Sequence, residues 1–161
     1  MAAEPSHTKP EGFKNSVQRI NVPGLPGISN AFLWKTSETP SKDGNTKPNF
    51  DGTERIGDRI NGFVCSGGTN FFIQDLAPGA EIPMHRSNTI DYIIVISGTI
   101  VSTSPEKPEE DFRLTAGDVL VRKANSHGWK NIGPEWVRWA CIIVDAKPVV
   151  LNGQTLVEGF M

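Results

Sequence analysis

From Phe63 onward, short runs of alternating apolar and polar residues are broken by glycine. A period of two puts successive side chains on opposite faces and predicts strands. Such runs fall at 70–76, 99–102, 112–114, 119–122, 127–131 and 136–144, with earlier ones at 17–21 and 31–35. The run 90–96 is continuously apolar and β-branched apart from Asp91 and Tyr92, which predicts a strand buried on both faces. Pro23-Gly24, Pro26-Gly27 and Gly98 supply turns, and 104–110 is a Pro- and Glu-rich hairpin tip. No stretch has convincing helical periodicity. Many short strands with regular turn signals predict an all-β sandwich or barrel.

Three stretches stand outside that pattern. Residues 1–16 read as a flexible N-terminal arm preceding one domain over 17–161. Residues 37–62 carry prolines, glycines and charges with few large apolar residues, and form either a lid over a pocket or a solvated excursion. Residues 145–161 are expected to wrap back along a sheet edge.

Strand parity sorts the chemistry-bearing side chains. His85 and Ser87 share a face; so do Asp91, Ile93 and Val95, and so do His127, Trp129 and Asn131. If those faces point inward, two imidazoles and a carboxylate converge among apolar and aromatic groups, as in a small-molecule pocket. On the last long strand Val137, Trp139, Cys141 and Ile143 form the more apolar set, facing the interior or a dimer interface. Tyr92 lies opposite Asp91 in parity and Arg86 opposite His85, which suits sheet packing and surface roles. Phe71 with Ile73, and Phe72 with Gln74, are two candidate lining faces. Cys65 and Cys141 form no CxxC pair and read as small buried hydrophobes.

His85, Asp91 and His127 are the candidate catalytic residues. A histidine beside a carboxylate in a low-dielectric pocket acts as a general base, and a second histidine across the pocket acts as the acid. Together they can remove a proton next to a carbonyl and expel water. The same three side chains have the composition of a two-His-one-carboxylate metal triad. Such a metal would polarise a carbonyl, or, if redox-active, support oxidation. Ser87, Trp129 and Trp139 are candidate substrate contacts.

Composition narrows the partners. The 161 residues, 37% of them hydrophobic, suit one domain with a real core, and the net charge is −2 with both signs interspersed. Without a basic stripe, nucleic acid is not an expected partner. No apolar run approaches the ~20 residues that span a bilayer, so no membrane role is expected. Residues 1–10 are polar and lack a leader's apolar segment, so a cytoplasmic protein is expected.

The spacing Gly79, five residues, His85-x-Ser87, three residues, Asp91, six residues, Gly98 resembles the first motif of the cupin superfamily, which has His-x-His and Glu at those positions. Gly117, Lys123, Asn125, His127 and Asn131 resemble its second motif, with one residue fewer before the histidine. The resemblance covers roughly 63–147. More narrowly, the strings HRSNTIDY, AGDVLV and HGWKN are similar to small single-domain cupins, including those of fungal secondary-metabolite pathways. It implies a single-domain cupin barrel (a double-stranded jelly roll) with an N-terminal extension, a homodimer, and a divalent metal (Zn, Fe, Mn or Ni) or none. The metal positions would fall on His85, Ser87, Asp91 and His127. Serine is a poor metal ligand and aspartate reaches less far than glutamate, leaving His85, Asp91 and His127 as the metal set. The expected function is that of a small-molecule lyase, a dehydratase or decarboxylase acting on a carbonyl-bearing, polyketide-type intermediate. A metal-dependent oxidoreductase or dioxygenase and a non-catalytic ligand-binding cupin are the alternatives.

Overall fold

A computed structural model describes residues 19–41, 59–60, 62–105 and 111–161. The expected N-terminal arm and most of the 37–62 loop lie outside the described residues. The long strands are β2 (Ile28–Thr36), β3 (Thr69–Leu76), β4 (Glu81–Arg86), β5 (Thr89–Ser97), β6 (Thr99–Thr103), β7 (Phe112–Thr115), β8 (Val119–Lys123), β9 (Ser126–Lys130) and β10 (Val137–Asp145). Two-residue strands complete the set: β1 (Ile20–Asn21), β11 (Val150–Leu151), β12 (Gln154–Thr155) and β13 (Gly159–Phe160). No helix occurs among the described residues.

All pairings are antiparallel. One sheet runs β1-β2-β3-β10-β5-β8, the facing one β13-β4-β9-β6-β7, and β11 and β12 form a small ribbon. Apolar side chains from the two inner faces meet in one core that includes Phe72, Ile93, Ile100, Trp129, Val137 and Trp139. This all-β jelly-roll barrel agrees with the sandwich or barrel that the strand periodicity predicts and with the jelly roll that the cupin resemblance implies. The stretch 145–161 does return along an edge: β13 pairs with β4, Phe160 opposite His85. Trp136 stands outside β10 and is exposed.

The expectation that 90–96 is buried on both faces is wrong. Asp91, Ile93 and Val95 point inward, whereas Tyr92, Ile94 and Ile96 are 42%, 38% and 48% exposed. β-branched residues suit any pleated surface, so a continuous apolar run does not show that both faces are covered. Among the described elements a sheet packs on one side of β5 only. Val121 and Val119, cross-strand from Tyr92 and Ile94, extend the same bare stripe.

Candidate active site

β4 and β9 place the two imidazoles. Ile82 lies opposite Trp129 and His85 opposite His127, so a bulge between Ile82 and His85 absorbs one extra residue of β4. Without it the two-residue period would turn His85 away from His127. Pro83 sits in that bulge, where a missing N–H is tolerated. Gly128 permits the close approach: a Cβ there would lie 2.9 Å from Thr103 Oγ1 and 3.1 Å from the Ile82 carbonyl oxygen.

The rings of His85 and His127 lie 4.4 Å apart between centroids, tilted by 56°. His85 Nδ1 is 2.8 Å from the Pro83 carbonyl oxygen, and His127 Nδ1 is 3.2 Å from that of Asn125. A carbonyl only accepts, so both rings carry their proton on Nδ1. Nε2 of each is left with its lone pair, as in a base or a metal ligand. Backbone carbonyls, and not Asp91, are the Nδ1 partners.

The cavity around them has about 640 Å³, counting its open mouth. Its walls include all six candidates: His85, Ser87, Asp91, His127, Trp129 and Trp139. Of the alternative faces on β3, Phe72 and Gln74 line it, and Cys141 contributes a buried thiol. Trp129 stacks on Trp139, centroids 5.9 Å apart, and meets His127 edge-on at 5.6 Å. Ser87 is buried and accepts a 2.7 Å hydrogen bond from the Thr89 hydroxyl. Asn131 shares the parity of His127 but works as a staple, its amide donating to the Leu76 and Glu135 carbonyls.

Two contributors escaped the sequence reading. Arg122 is 4% exposed and lies opposite Asp91 across the β5–β8 ladder. It donates to Ser102 Oγ, and its guanidinium carbon is 5.4 Å from the Trp129 ring centroid. Parity was a usable signal, because Arg122 shares a face with Leu120. Phe160 packs 5.5 Å from the His85 ring and lines the cavity. Nothing local in the sequence marks it.

Burial governs the electrostatics. It pushes the Asp91 carboxyl up to about 6, with the Thr89 hydroxyl and the Arg122 guanidinium offsetting part of the rise. Burial also lowers His85, helped by Arg122 and opposed by the Pro83 hydrogen bond. His127 is held well below the ordinary histidine range by burial, then by His85 and Arg122. Both imidazoles are therefore neutral at pH 7. Asp91 Oδ1 is buried with no hydrogen-bond partner among the described residues, a natural acceptor for a ligand's proton.

Asp91 consequently predicts a pH signature. Its raised folded-state value means that the native protein binds the extra proton, so the associated stability is present below pH 3.8 and lost as pH rises through about 6. The Asp91→Asn variant should remove that slope, worth about 3 kcal/mol. Urea unfolding from about pH 3 to 7.5, which spans both values, measures it. The slope is the readout, because any effect of the amide on local packing is the same at every pH.

A metal fits this donor set only in part. Two imidazoles present Nε2, but no group of three or more His, Cys, Asp or Glu side chains among the described residues is arranged to hold a metal ion. Catalytic sites usually supply three protein ligands. Asp91 does not join the histidines as the expected third ligand; it is engaged by Thr89 and Arg122.

Facing antiparallel sheets around a histidine-bearing cavity define a jelly-roll barrel. Residues 72–143 match the family described as Cupin domain, and the chain belongs to the cupin superfamily. It is 33% identical over 141 residues to the cupin-domain-containing oxidoreductase srdD of Neurospora crassa, covering 83% of this chain and 66% of that protein. It is 36% identical over 97 residues to oryzines biosynthesis cluster protein J of Aspergillus oryzae, covering 60% of this chain and 53% of that protein. The chain thus spans about half to two thirds of these relatives. Among solved structures, the polyketide cyclase RemF of Streptomyces resistomycificus superposes with a TM-score of 0.54 at 15% identity, covering 89% of this chain and 84% of that one, a likeness of fold. No helix among the described residues is long and apolar enough to cross a membrane.

Proposed function

We propose that the protein is a small-molecule lyase that removes water or carbon dioxide from a carbonyl-bearing, polyketide-type intermediate. The observation that carries this reading is the pair of neutral imidazoles, each fixed with Nε2 as its lone-pair nitrogen, beside a carboxyl of pKa about 6. One imidazole takes a proton from the carbon next to the carbonyl. Asp91, protonated in a useful fraction near neutrality, or the imidazolium just formed, returns a proton to the departing hydroxyl. Matching proton affinities to the working pH in this way is how acid–base catalysts are poised. Trp129, Trp139 and Phe72 supply an apolar wall that excludes water, and the Ser87 hydroxyl is placed to donate to the substrate oxygen. Relatives whose names record membership of biosynthetic clusters support a biosynthetic intermediate as substrate.

A metal-dependent oxidation is the second reading, favoured by relatives named as oxidoreductases. Product mass separates the two: a lyase product has lost water or carbon dioxide with no oxygen consumed, whereas an oxidised product has lost hydrogen or gained oxygen. His85→Ala and His127→Ala should each lower turnover of the authentic substrate by roughly 10²–10⁴-fold while remaining folded. Full turnover in both folded variants would sink the site assignment.

A further inference from the structure

Two segments that are not part of the long strands contribute to the cavity wall. One is the turn of residues 59–60 and 62–64, which brings Ile60, Phe63 and Val64 to the cavity wall. Another is β13, which brings Phe160. Neither is strongly held by backbone alone. β13 is two residues long, and the turn is closed by the paired bonds between Arg59 and Val64, both 3.1 Å. Ile60 sits at φ 46°, a costly conformation for a β-branched residue that persists only where the surroundings enforce it.

One side chain ties these pieces together. The Arg59 guanidinium donates to Asp145 at the end of β10, and its Nε lies 3.6 Å from Glu158 Oε2. Glu158 also accepts the Asn88 N–H at 2.6 Å, and Asp145 accepts the Gly67 N–H at 2.7 Å. The side chains of Arg59, Asp145 and Glu158 are 27%, 18% and 17% exposed. They are therefore screened less by salt than a surface pair. Phe160, immediately after the Glu158-Gly159 step, keeps 44% of its surface exposed and lies against His85.

We propose that Arg59, Glu158 and Asp145 form a clasp that holds β13 and the turn residues 59–60 and 62–64 shut across the cavity mouth, so that Phe160 shields the His85 imidazole until the clasp releases. The clasp admits small neutral molecules to His85 by detaching an edge strand, with the barrel itself unchanged. Local opening of such weakly held edges is the ordinary low-energy motion of a folded protein.

Carbethoxylation of His85 by diethyl pyrocarbonate, mapped by peptide mass spectrometry on the full chain, tests this without any substrate. The reagent attacks the neutral imidazole nitrogen, and His127 is read in the same digest. Glu158→Gln, Arg59→Gln and Phe160→Ala should each raise the His85 rate several-fold. Combining Glu158→Gln with Phe160→Ala should add nothing further. Exchange of the Met161 amide, which donates to the Met84 carbonyl, should quicken in the first two. Unchanged His85 labelling in folded Glu158→Gln overturns the proposal, even if Met161 exchange is faster, since the strand would then open without guarding the ring. Glu158→Gln removes only the β13 arm and keeps the test decisive if Arg59→Gln does not fold. Because the readout is labelling, the clasp stands or falls independently of the lyase reading.

Discussion

Replacing Arg122 with leucine is expected to lower the unfolding free energy by ~3–5 kcal/mol, the usual cost of leaving a buried charge without its counterion. Arg122 and Asp91 are 4% and 5% exposed and face each other across the β5–β8 ladder. Removing the guanidinium strips the carboxylate of the positive charge that favours its ionised form. It also leaves the fully buried Ser102 hydroxyl without its donor. Asp91 can escape only by binding a proton, so its value rises beyond about 6. A raised folded-state value makes the loss larger at pH 7.5 than at pH 5. Chemical denaturation at the two pH values measures this. The Arg122→Leu/Asp91→Asn double variant should be more stable than the sum of the single losses allows. Strict additivity would mean that the two groups do not interact.

Trp139→Ala is expected to cost a similar ~3–5 kcal/mol. Trp139 is 1% exposed, packs on Trp129 and belongs to the inward set of β10. The void would open into the existing cavity, so neighbouring side chains have little to collapse upon. Urea unfolding midpoints decide the matter. A loss under ~1 kcal/mol would show that the indole serves only a bound ligand, because surface and ligand-facing substitutions that leave the core intact fall in that range. Trp139→Phe should lie between, since it keeps the apolar wall and loses only part of the stack.

Parity made much of this arrangement legible. His85, Asp91, His127, Trp129 and Trp139 each have inward-facing partners at two-residue spacing, and all reach one cavity. The two-residue period failed where the outcome depends on more than one strand. It does not reveal that Pro83 lies in a bulge, which sets the phase of His85 relative to His127. It does not reveal that Tyr92, Ile94 and Ile96 meet no opposing sheet. Arg122 was legible but passed over, because a charged residue at a strand end reads as solvated. Phe160 was illegible: it reaches His85 only through the pairing of β13 with β4, strands 73 or more residues apart in sequence, and no local pattern encodes such a pairing.

The stacked pair on the cavity wall has an optical consequence. Two indoles 5.9 Å apart with 30° between their planes, fixed in a chiral frame, share their electronic transitions. The far-ultraviolet circular dichroism should therefore carry an exciton couplet superimposed on the β-sheet spectrum, absent in Trp129→Phe. A molecule settling against either ring alters the coupling geometry. The protein thus reports occupancy of its own cavity as a change in couplet amplitude, and candidate substrates can be screened without a label or a reaction.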